Sequence, residues 1–184
     1  MGKGVFNNQF LLAMPGTVTG SFAESVIYIT DHGDDGAMGL VINQLGELTI
    51  ADVLDQLDLS AHLNGEQPVY WGGPVQPARG FVLHANEGSW AASMEINDAM
   101  ALTTSRDILQ AIGNGFGPSR YLMTFGYAGW GPGQLEEEMA ANSWLSTPAS
   151  EDIIFNTDPD ARWNAAARQI GLDPRALLGD TGRA

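Results

Sequence analysis

The amino-acid sequence predicts an α/β or α+β layer fold in which strands and helices alternate along the chain. Short apolar segments bounded by glycine, proline or aspartate have the composition of strands. The segments between them carry apolar residues at helical spacing, and this interleaving is typical of layered α/β architectures. Because neither a repeat nor a linker divides the 184 residues, we expect one domain over residues 1–184, with a core of about residues 8–179.

Seven strands are predicted, and several are continuous apolar runs, which is typical of strands covered on both faces. The segment 31–36, rich in aspartate and glycine, lies between the second and third of them. We expect a tight turn there rather than a calcium-binding loop, because Ile42 stands at the twelfth position, where a bidentate glutamate is required. The predicted strands are Phe10–Met14, Ser25–Thr30, Met38–Asn43, Val69–Tyr70, Gly80–His84, Tyr121–Phe125 and Asp152–Phe155.

Four helices are predicted from start signals followed by apolar stripes. Thr49 and Asp52 have the spacing of a capping box. Ser105 is the expected N-cap of a second helix, which ends at Gly113. The apolar faces of these two helices comprise Ile50, Val53, Leu54 and Leu57, and Ile108, Leu109 and Ile112. The other expected elements are a helix over Gln134–Asn142, a helix from Asp158-Pro159 to Gly171 and a short turn at Pro174–Leu178.

The charge balance limits the classes of partner. Asp and Glu number 22 against 8 Lys and Arg, which gives a net charge of −14, and the few arginines are scattered. Nucleic-acid binding and attachment to anionic membranes both need clustered positive charge. We therefore expect no specific nucleic-acid binding and no membrane association.

The absence of cysteine from the sequence excludes disulfides, thiol nucleophiles and thiolate metal sites. We expect no metal and no cofactor, because none of the corresponding sequence motifs occurs. No apolar run approaches the ~20 residues of a membrane-spanning helix. We also find no signal peptide, so we expect a cytoplasmic protein.

The glycine-rich segment Gly126–Gly133 follows a predicted strand and precedes a predicted helix, which is the arrangement of many phosphate sites. It fits neither the Rossmann nor the Walker pattern. The helix also begins with three glutamates at 136–138, which would repel a phosphate. We expect a loop in which Tyr127 and Trp130 form part of a binding surface. The alternative is that both rings are core anchors and that the glycines allow close packing.

Two other residues carry chemistry that could serve a site. His84 ends a predicted strand, and the sequence contains no Gly-x-Ser-x-Gly or His-Glu-x-x-His motif that would recruit it. A hydrogen-bonded structural role is therefore favoured for His84. Arg79, beside Gly80, is the expected buried or half-buried cation, and its simplest role is an ion pair.

Five blocks of the sequence resemble the YqgE/AlgH family of bacterial proteins, one branch of which carries the name of a regulator of alginate synthesis genes. The blocks are FLLAMP (10–15), GAMGLVIN (36–43), VYWGGPVQPARGFVLH (69–84), GYAGWGPGQLEEEMAANSW (126–144) and IFNTDPDARWNAAA (154–167). The resemblance implies a single-domain α/β fold with a bifurcated, partly barrel-like mixed β-sheet flanked by helices. It implies no cofactor and no agreed catalytic residue. The chain departs from the family pattern at Gly33 and Ala78.

Two classes of function stay open at this point. We expect a non-enzymatic binding or regulatory protein that acts through protein contacts, and the alternative is a small hydrolase with a carboxylate–histidine site. Convergence of the polar candidates in one pocket would favour the enzyme. An exposed, flat arrangement would favour a partner surface. The candidate surface comprises Arg79, His84, Asp107, Tyr127, Trp130, Gln134 and Glu137.

Overall fold

The computed structural model describes residues 4–59 and 65–173. The expected turn at Pro174–Leu178 lies outside the described residues. The chain forms two compact units, of which unit 1 comprises Met1–Asn43 and Ala128–Ala184, and unit 2 comprises Gln44–Tyr127. The single domain expected over residues 1–184 stays a prediction.

The described part of the chain contains ten strands and five α-helices. The strands are β1 (Gln9–Ala13), β2 (Val26–Gly33), β3 (Gly36–Val41), β4 (Leu45–Thr49), β5 (Pro68–Trp71), β6 (Val75–Ala85), β7 (Ser93–Glu95), β8 (Met100–Thr103), β9 (Tyr121–Trp130) and β10 (Trp144–Pro148). The helices are α1 (Ile50–Gln56), α2 (Arg106–Gly113), α3 (Gln134–Ala140), α4 (Glu151–Asn156) and α5 (Arg162–Gln169). Short 3₁₀ turns lie at Gly20–Phe22 and Pro159–Ala161. None of the described helices is long and apolar enough to span a bilayer.

Unit 1 contains an antiparallel sheet in the order β10-β1-β2-β3, and the last residues of β9 pair with β3. Strands β2 and β3 form the expected hairpin, in which Gly33 pairs with Gly36. The central strands β1 and β2 are buried along most of their length. The continuous apolar runs of the sequence therefore do mark strands that are covered on both faces.

Unit 2 contains a mixed sheet. Strand β5 runs parallel to the first part of β9, with Val69 opposite Met123, and β6 runs antiparallel to it on the other side. Strands β8 and β7 extend the sheet beyond β6, and β4 pairs with β5. The sheet contains both parallel and antiparallel strand pairs, and helices alternate with the strands along the chain. This arrangement confirms the expected α/β class.

The core of unit 2 is built by the faces predicted from the sequence. The Thr49 side chain accepts the Asp52 N–H, and the Asp52 carboxylate accepts the Thr49 N–H, so the capping box is present. Helix α2 begins after Ser105 and ends at Gly113, as predicted. The side chains that pack in this core are Ile50, Val53, Leu54, Val69, Val82, Ile108, Leu109, Ile112 and Met123.

Two expected elements are wrong. The segment Asp152–Phe155 is part of helix α4 rather than a strand, and the Ser150 hydroxyl accepts the Ile153 N–H at its start. A four-residue apolar run does not distinguish a strand from a buried helical turn. The expected loop Gly126–Gly133 continues β9 as far as Trp130. Gly126 adopts φ +78°, and an added Cβ there would overlap the carbonyl oxygen of Gly73, so this glycine permits close packing of strands.

The buried cation of unit 1 is Arg162, at the start of α5, which is 4 % exposed. Its Nε donates to the carbonyl oxygens of Ile153 and Thr157, each at 3.0 Å, and its Nη1 donates to that of Ile42. Arg162 thus joins α4 and the chain after β3 to α5. Buried carbonyl groups need donors, and this one side chain serves three of them.

We predict that Arg162→Met lowers the free energy of unfolding by about 3 kcal/mol, because it leaves buried carbonyl oxygens without a donor while keeping the apolar stem. Urea denaturation of the full chain measures this change. Arg168→Met is the matched control, since Arg168 is exposed on the same helix and a surface substitution changes stability by about 0.5 kcal/mol or less. Equal losses in the two variants would contradict the assignment.

Candidate functional site

The glycine-rich block ends in an indole–carboxylate cluster, formed in unit 1 by Trp130, Gln134, Glu138 and Trp144. The indole N–H groups of Trp130 and Trp144 both donate to Oε1 of Glu138, at 3.0 and 2.9 Å. The Gln134 amide donates to Oε2 of Glu138 at 2.8 Å, and its own oxygen accepts the N–H of Gly131. The two indole rings pack edge to face with centroids 6.2 Å apart.

The sequence produces this cluster through local spacing. Gln134 and Glu138 are four residues apart on α3, so they share one face of the helix. Trp130 ends β9 and Trp144 begins β10. Trp130 is only 7 % exposed, which favours the core-anchor alternative for this residue. Tyr127, in unit 2, is half-buried with its ring 5.7 Å from that of Phe81.

The glutamates at the start of α3 have separate environments. Glu137 is exposed. Glu136 accepts a hydrogen bond from Nε2 of His32, and this bond holds the pKa of the Glu136 carboxyl below its ordinary value. Nδ1 of His32 accepts the N–H of Phe6 at 3.3 Å, so both ring nitrogens have partners inside unit 1. Sequence analysis missed this pair, because 104 positions separate its members and no motif joins them.

His84 is a structural histidine, as predicted. It is 1 % exposed in β6, where Nδ1 donates to the carbonyl oxygen of Ala85 and Nε2 accepts from the Thr103 hydroxyl, both at 2.7 Å. The Thr103 hydroxyl in turn contacts that of Ser93 at 2.6 Å. Burial lowers the pKa of His84 below its ordinary value of 6.5. Both ring nitrogens are thus used inside the fold, and neither partner is a carboxylate.

Asp107 fixes the start of α2 to the segment that precedes β7. Its carboxylate accepts the Ser105 hydroxyl at 2.5 Å and the Ala91 N–H at 2.8 Å, while the Ser105 oxygen accepts the Ala92 N–H. The Ser105 hydrogen bond is the main reason that the pKa of Asp107 lies below its ordinary value. The side-chain oxygens of Ser105 and Asp107 therefore accept hydrogen bonds from nearby backbone N–H groups.

The expectation that Arg79 is buried or half-buried is wrong. The side chain is exposed, donates to the Gln76 side-chain oxygen at 3.3 Å and lies over the Phe81 ring, 5.4 Å from its centroid. The physical reason is that the first half of β6 is exposed and only its second half, from Phe81, enters the core. The buried arginine is Arg162 instead.

The seven candidate residues therefore do not converge on a reactive arrangement within either unit. In unit 1, Trp130 and Gln134 belong to the indole–carboxylate cluster, and Glu137 is exposed. In unit 2, neither Arg79, His84 nor Asp107 lines the two cavities described below. In the ranges 4–59 and 65–173, His, Asp and Glu side chains form no group of three or more that could hold a metal ion.

Unit 2 contains two neighbouring cavities that sequence analysis did not identify. The first, which we call the β4 groove, has a volume of about 660 Å³ and is lined by Gln44, Leu45, Gly46, Glu47, Leu48, Gln56, Val69, Tyr70, Trp71, Pro77, Ala78 and Phe125. The second, which we call the α2 cavity, has a volume of about 300 Å³ and is lined by Val53, Gln56, Leu57, Ala78, Gly80, Val82, Thr103, Thr104, Ser105, Arg106, Leu109, Met123 and Phe125. The residues that line each cavity come from four or more separate helices and strands. No single sequence motif therefore predicts either cavity.

We predict that Glu138→Ala lowers the free energy of unfolding by about 2 kcal/mol, because two indole N–H groups and the Gln134 amide lose their acceptor. The change should also alter the tryptophan emission of the folded protein. Thermal and urea denaturation followed by fluorescence measure both effects. Glu137→Ala, one position away and exposed, should leave both unchanged; if it matches Glu138→Ala, the cluster does not stabilise the fold.

The buried His84 predicts a pH dependence of stability. Because its pKa in the folded protein lies below 6.5, the unfolded chain takes up a proton more readily as the pH falls. The stabilisation is therefore present above the ordinary pKa and is lost as the pH falls towards the folded-state value. The free energy of unfolding should drop more between about pH 7.5 and 5.5 in the wild type than in His84→Gln, which cannot titrate there. Urea denaturation of both proteins at the two pH values measures this difference. Equal losses of unfolding free energy in the wild type and in His84→Gln would contradict the role of His84.

The comparisons with known proteins confirm the resemblance carried by the five blocks. A family model described as AlgH-like matches residues 10–175. A UPF0301 protein of Thioalkalivibrio sulfidiphilus is 51 % identical over 180 residues, covering 97 % of each chain. A UPF0301 protein of Bordetella pertussis is 52 % identical over 181 residues, covering 97 % of this chain and 90 % of that protein.

Two solved structures share the fold. The solution structure of the AlgH protein from Pseudomonas aeruginosa is 40 % identical, covers 100 % of both chains and has a TM-score of 0.81. The crystal structure of a Corynebacterium diphtheriae protein is 20 % identical, covers 96 % of this chain and 92 % of that one, and has a TM-score of 0.71, which shows the fold alone. The match over nearly the whole length, together with the shared α/β fold, establishes that the chain belongs to the AlgH-like family.

Proposed function

We propose that the protein is a non-enzymatic binding protein that acts through protein contacts, and that its partner binds in the β4 groove. The observation that carries the proposal is the apolar surface of this groove. Leu45 is 59 % exposed at its edge, and Trp71 is half-buried in its wall. Exposed aromatic and aliphatic side chains around a concavity are typical of protein-binding sites.

The charge around the groove supports a partner with basic residues beside its apolar contacts. Glu47 lines the groove, and Asp52 and Asp55 are exposed on α1. Residues 44–78 contain five acidic residues and neither Lys nor Arg. Opposite charge on the partner would speed association and would make binding weaken with salt.

The use of the polar candidates within the fold also favours binding over catalysis. Both ring nitrogens of His84 and of His32 have hydrogen-bond partners inside the protein. The alternative hydrolase has one supporting observation, the contact between His32 and Glu136. A general base must reach a substrate proton, and His32 is buried with Nδ1 occupied by a backbone N–H, so we prefer the binding function.

A regulatory role would be exerted through that protein partner in the cytoplasm, rather than through specific contacts to DNA. The net charge of −14 opposes the phosphate contacts on which DNA affinity depends.

We predict that Leu45→Asp reduces capture of the partner from native lysate about tenfold, because it places a charge in the apolar contact. Immobilised full-length protein and quantitative mass spectrometry measure the captured proteins. Phe116→Asp is the matched control, since Phe116 is 82 % exposed in the same unit and does not line the groove. Equal capture by the wild type and Leu45→Asp would overturn the proposal, and so would equal loss in both variants.

A further inference from the structure

The α2 cavity lies directly beside the core of unit 2. Six of its lining residues also belong to that core or pack against it, namely Val53, Leu57, Val82, Leu109, Met123 and Phe125. The space has a volume of about 300 Å³ and opens to solvent, so the two half-buried side chains of this lining, Leu57 and Phe125, lack contacts on the side that faces it. An apolar group of matching size would restore those contacts.

One side of the cavity is polar and carries a positive charge. Arg106 is exposed at the start of α2, and its Nη2 donates to the carbonyl oxygen of Leu57, which holds the guanidinium across the cavity wall. No carboxylate of the described residues lies within ion-pair distance of Arg106. In a chain with 22 acidic residues and 8 basic ones, an arginine without a carboxylate partner has its charge available for a ligand.

The hydroxyl groups of the same wall differ in availability. Thr103 is bonded to His84 and Ser93, and Ser105 donates to Asp107. Thr104 is half-buried, and its hydroxyl has no hydrogen-bond partner among the described residues. Asp107, the nearest carboxylate in sequence, accepts from Ser105 and Ala91 and does not line the cavity. The side chains of the cavity that keep donors for a ligand are therefore Thr104, Gln56 and Arg106, whose guanidinium has further N–H groups besides the one bonded to Leu57.

We propose that the α2 cavity binds a small amphipathic carboxylate, with its alkyl chain against the apolar wall and its carboxylate on Arg106 and Thr104. Guanidinium groups recognise carboxylates through parallel N–H donors. Small-molecule sites commonly combine an apolar lining with a few polar groups that fix orientation. This site is distinct from the β4 groove, with which it shares only Gln56, Ala78 and Phe125.

The test uses the full-length protein and octanoate as the probe. A ¹⁵N-labelled sample is titrated with octanoate, octanol and octylamine, and amide shifts are followed by NMR. We expect saturable octanoate binding with a Kd of about 1 mM or below, with shifts concentrated at residues 57, 103–109 and 123. Octanol should bind more weakly at the same residues, and octylamine should bind most weakly.

The variants separate the charge from the apolar contact. Arg106→Gln should raise the Kd for octanoate about fivefold and leave that for octanol unchanged, and Thr104→Val should raise the octanoate Kd by a smaller factor. Arg168→Gln carries the same charge change on an exposed helix of unit 1 and should have no effect. If Arg106→Gln failed to fold, the Thr104→Val variant and the comparison of octanoate with octylamine would still test whether the cavity binds the carboxylate group.

Three results would overturn the proposal: no saturable shifts with octanoate, equal affinity for octanoate and octylamine, or unchanged octanoate affinity in both Arg106→Gln and Thr104→Val. None of them bears on Leu45, because Leu45 lines only the β4 groove. Failure of this site and failure of the protein-binding proposal are therefore distinguishable.

Discussion

Leaving a buried indole N–H without an acceptor costs free energy, and in unit 1 the single carboxylate of Glu138 supplies an acceptor to both Trp130 and Trp144. This requirement explains the most distinctive block of the sequence. The glutamine on the preceding turn of α3 binds the second carboxylate oxygen, and β10 begins at the residue that brings the second indole. The residues that look most functional in the sequence are thus needed to hold α3 against the strands of its own unit.

Other polar residues of the chain likewise have their hydrogen-bonding groups paired inside the protein. His84 lies in a chain of hydrogen bonds within the sheet of unit 2, and Asp107 holds the backbone ahead of β7. Arg162 serves three carbonyl groups. When such groups are satisfied internally, their chemistry is unavailable to a substrate. The binding surface that we propose is therefore the β4 groove, at whose edge Leu45 is exposed.

The sequence was most informative where structure is set by local contacts. The capping box at Thr49, the apolar stripe of α2 and the hairpin at Gly33–Gly36 all depend on residues within a few positions of one another. Strand β7 was missed because all of its residues are exposed, so it lacks an apolar signal. The continuation of β9 past Gly126 depends on pairing with residues distant in sequence, which are Val75 opposite Tyr127 and 37–39 opposite 128–130, and propensity alone predicts a loop there.

The candidate site was less predictable than the fold for the same reason. The pair of His32 and Glu136 joins β2 to α3, and the lining of the β4 groove comes from residues 44–48, 69–71, 77–78 and 125 with a side chain of α1. Residues 69–71 and 77–78 lie in a block that resembles the family, but nothing in that block indicates that residues 44–48 and 125 complete a groove with them. Arg79 and Trp130, by contrast, were selected as candidates because of their neighbours in sequence. In the structure Arg79 is exposed and Trp130 is buried, so neither has the expected role.

The most direct test of the central claim is amide hydrogen exchange of the full-length protein, followed by mass spectrometry, with and without its captured partner. The account predicts added protection at residues 44–48 and 69–71, which contribute the exposed edge and the wall of the β4 groove, and unchanged exchange in α3. Protection concentrated at Glu136 and Glu137 of α3, with none at the groove, would contradict the claim that the protein binds its partner through this surface.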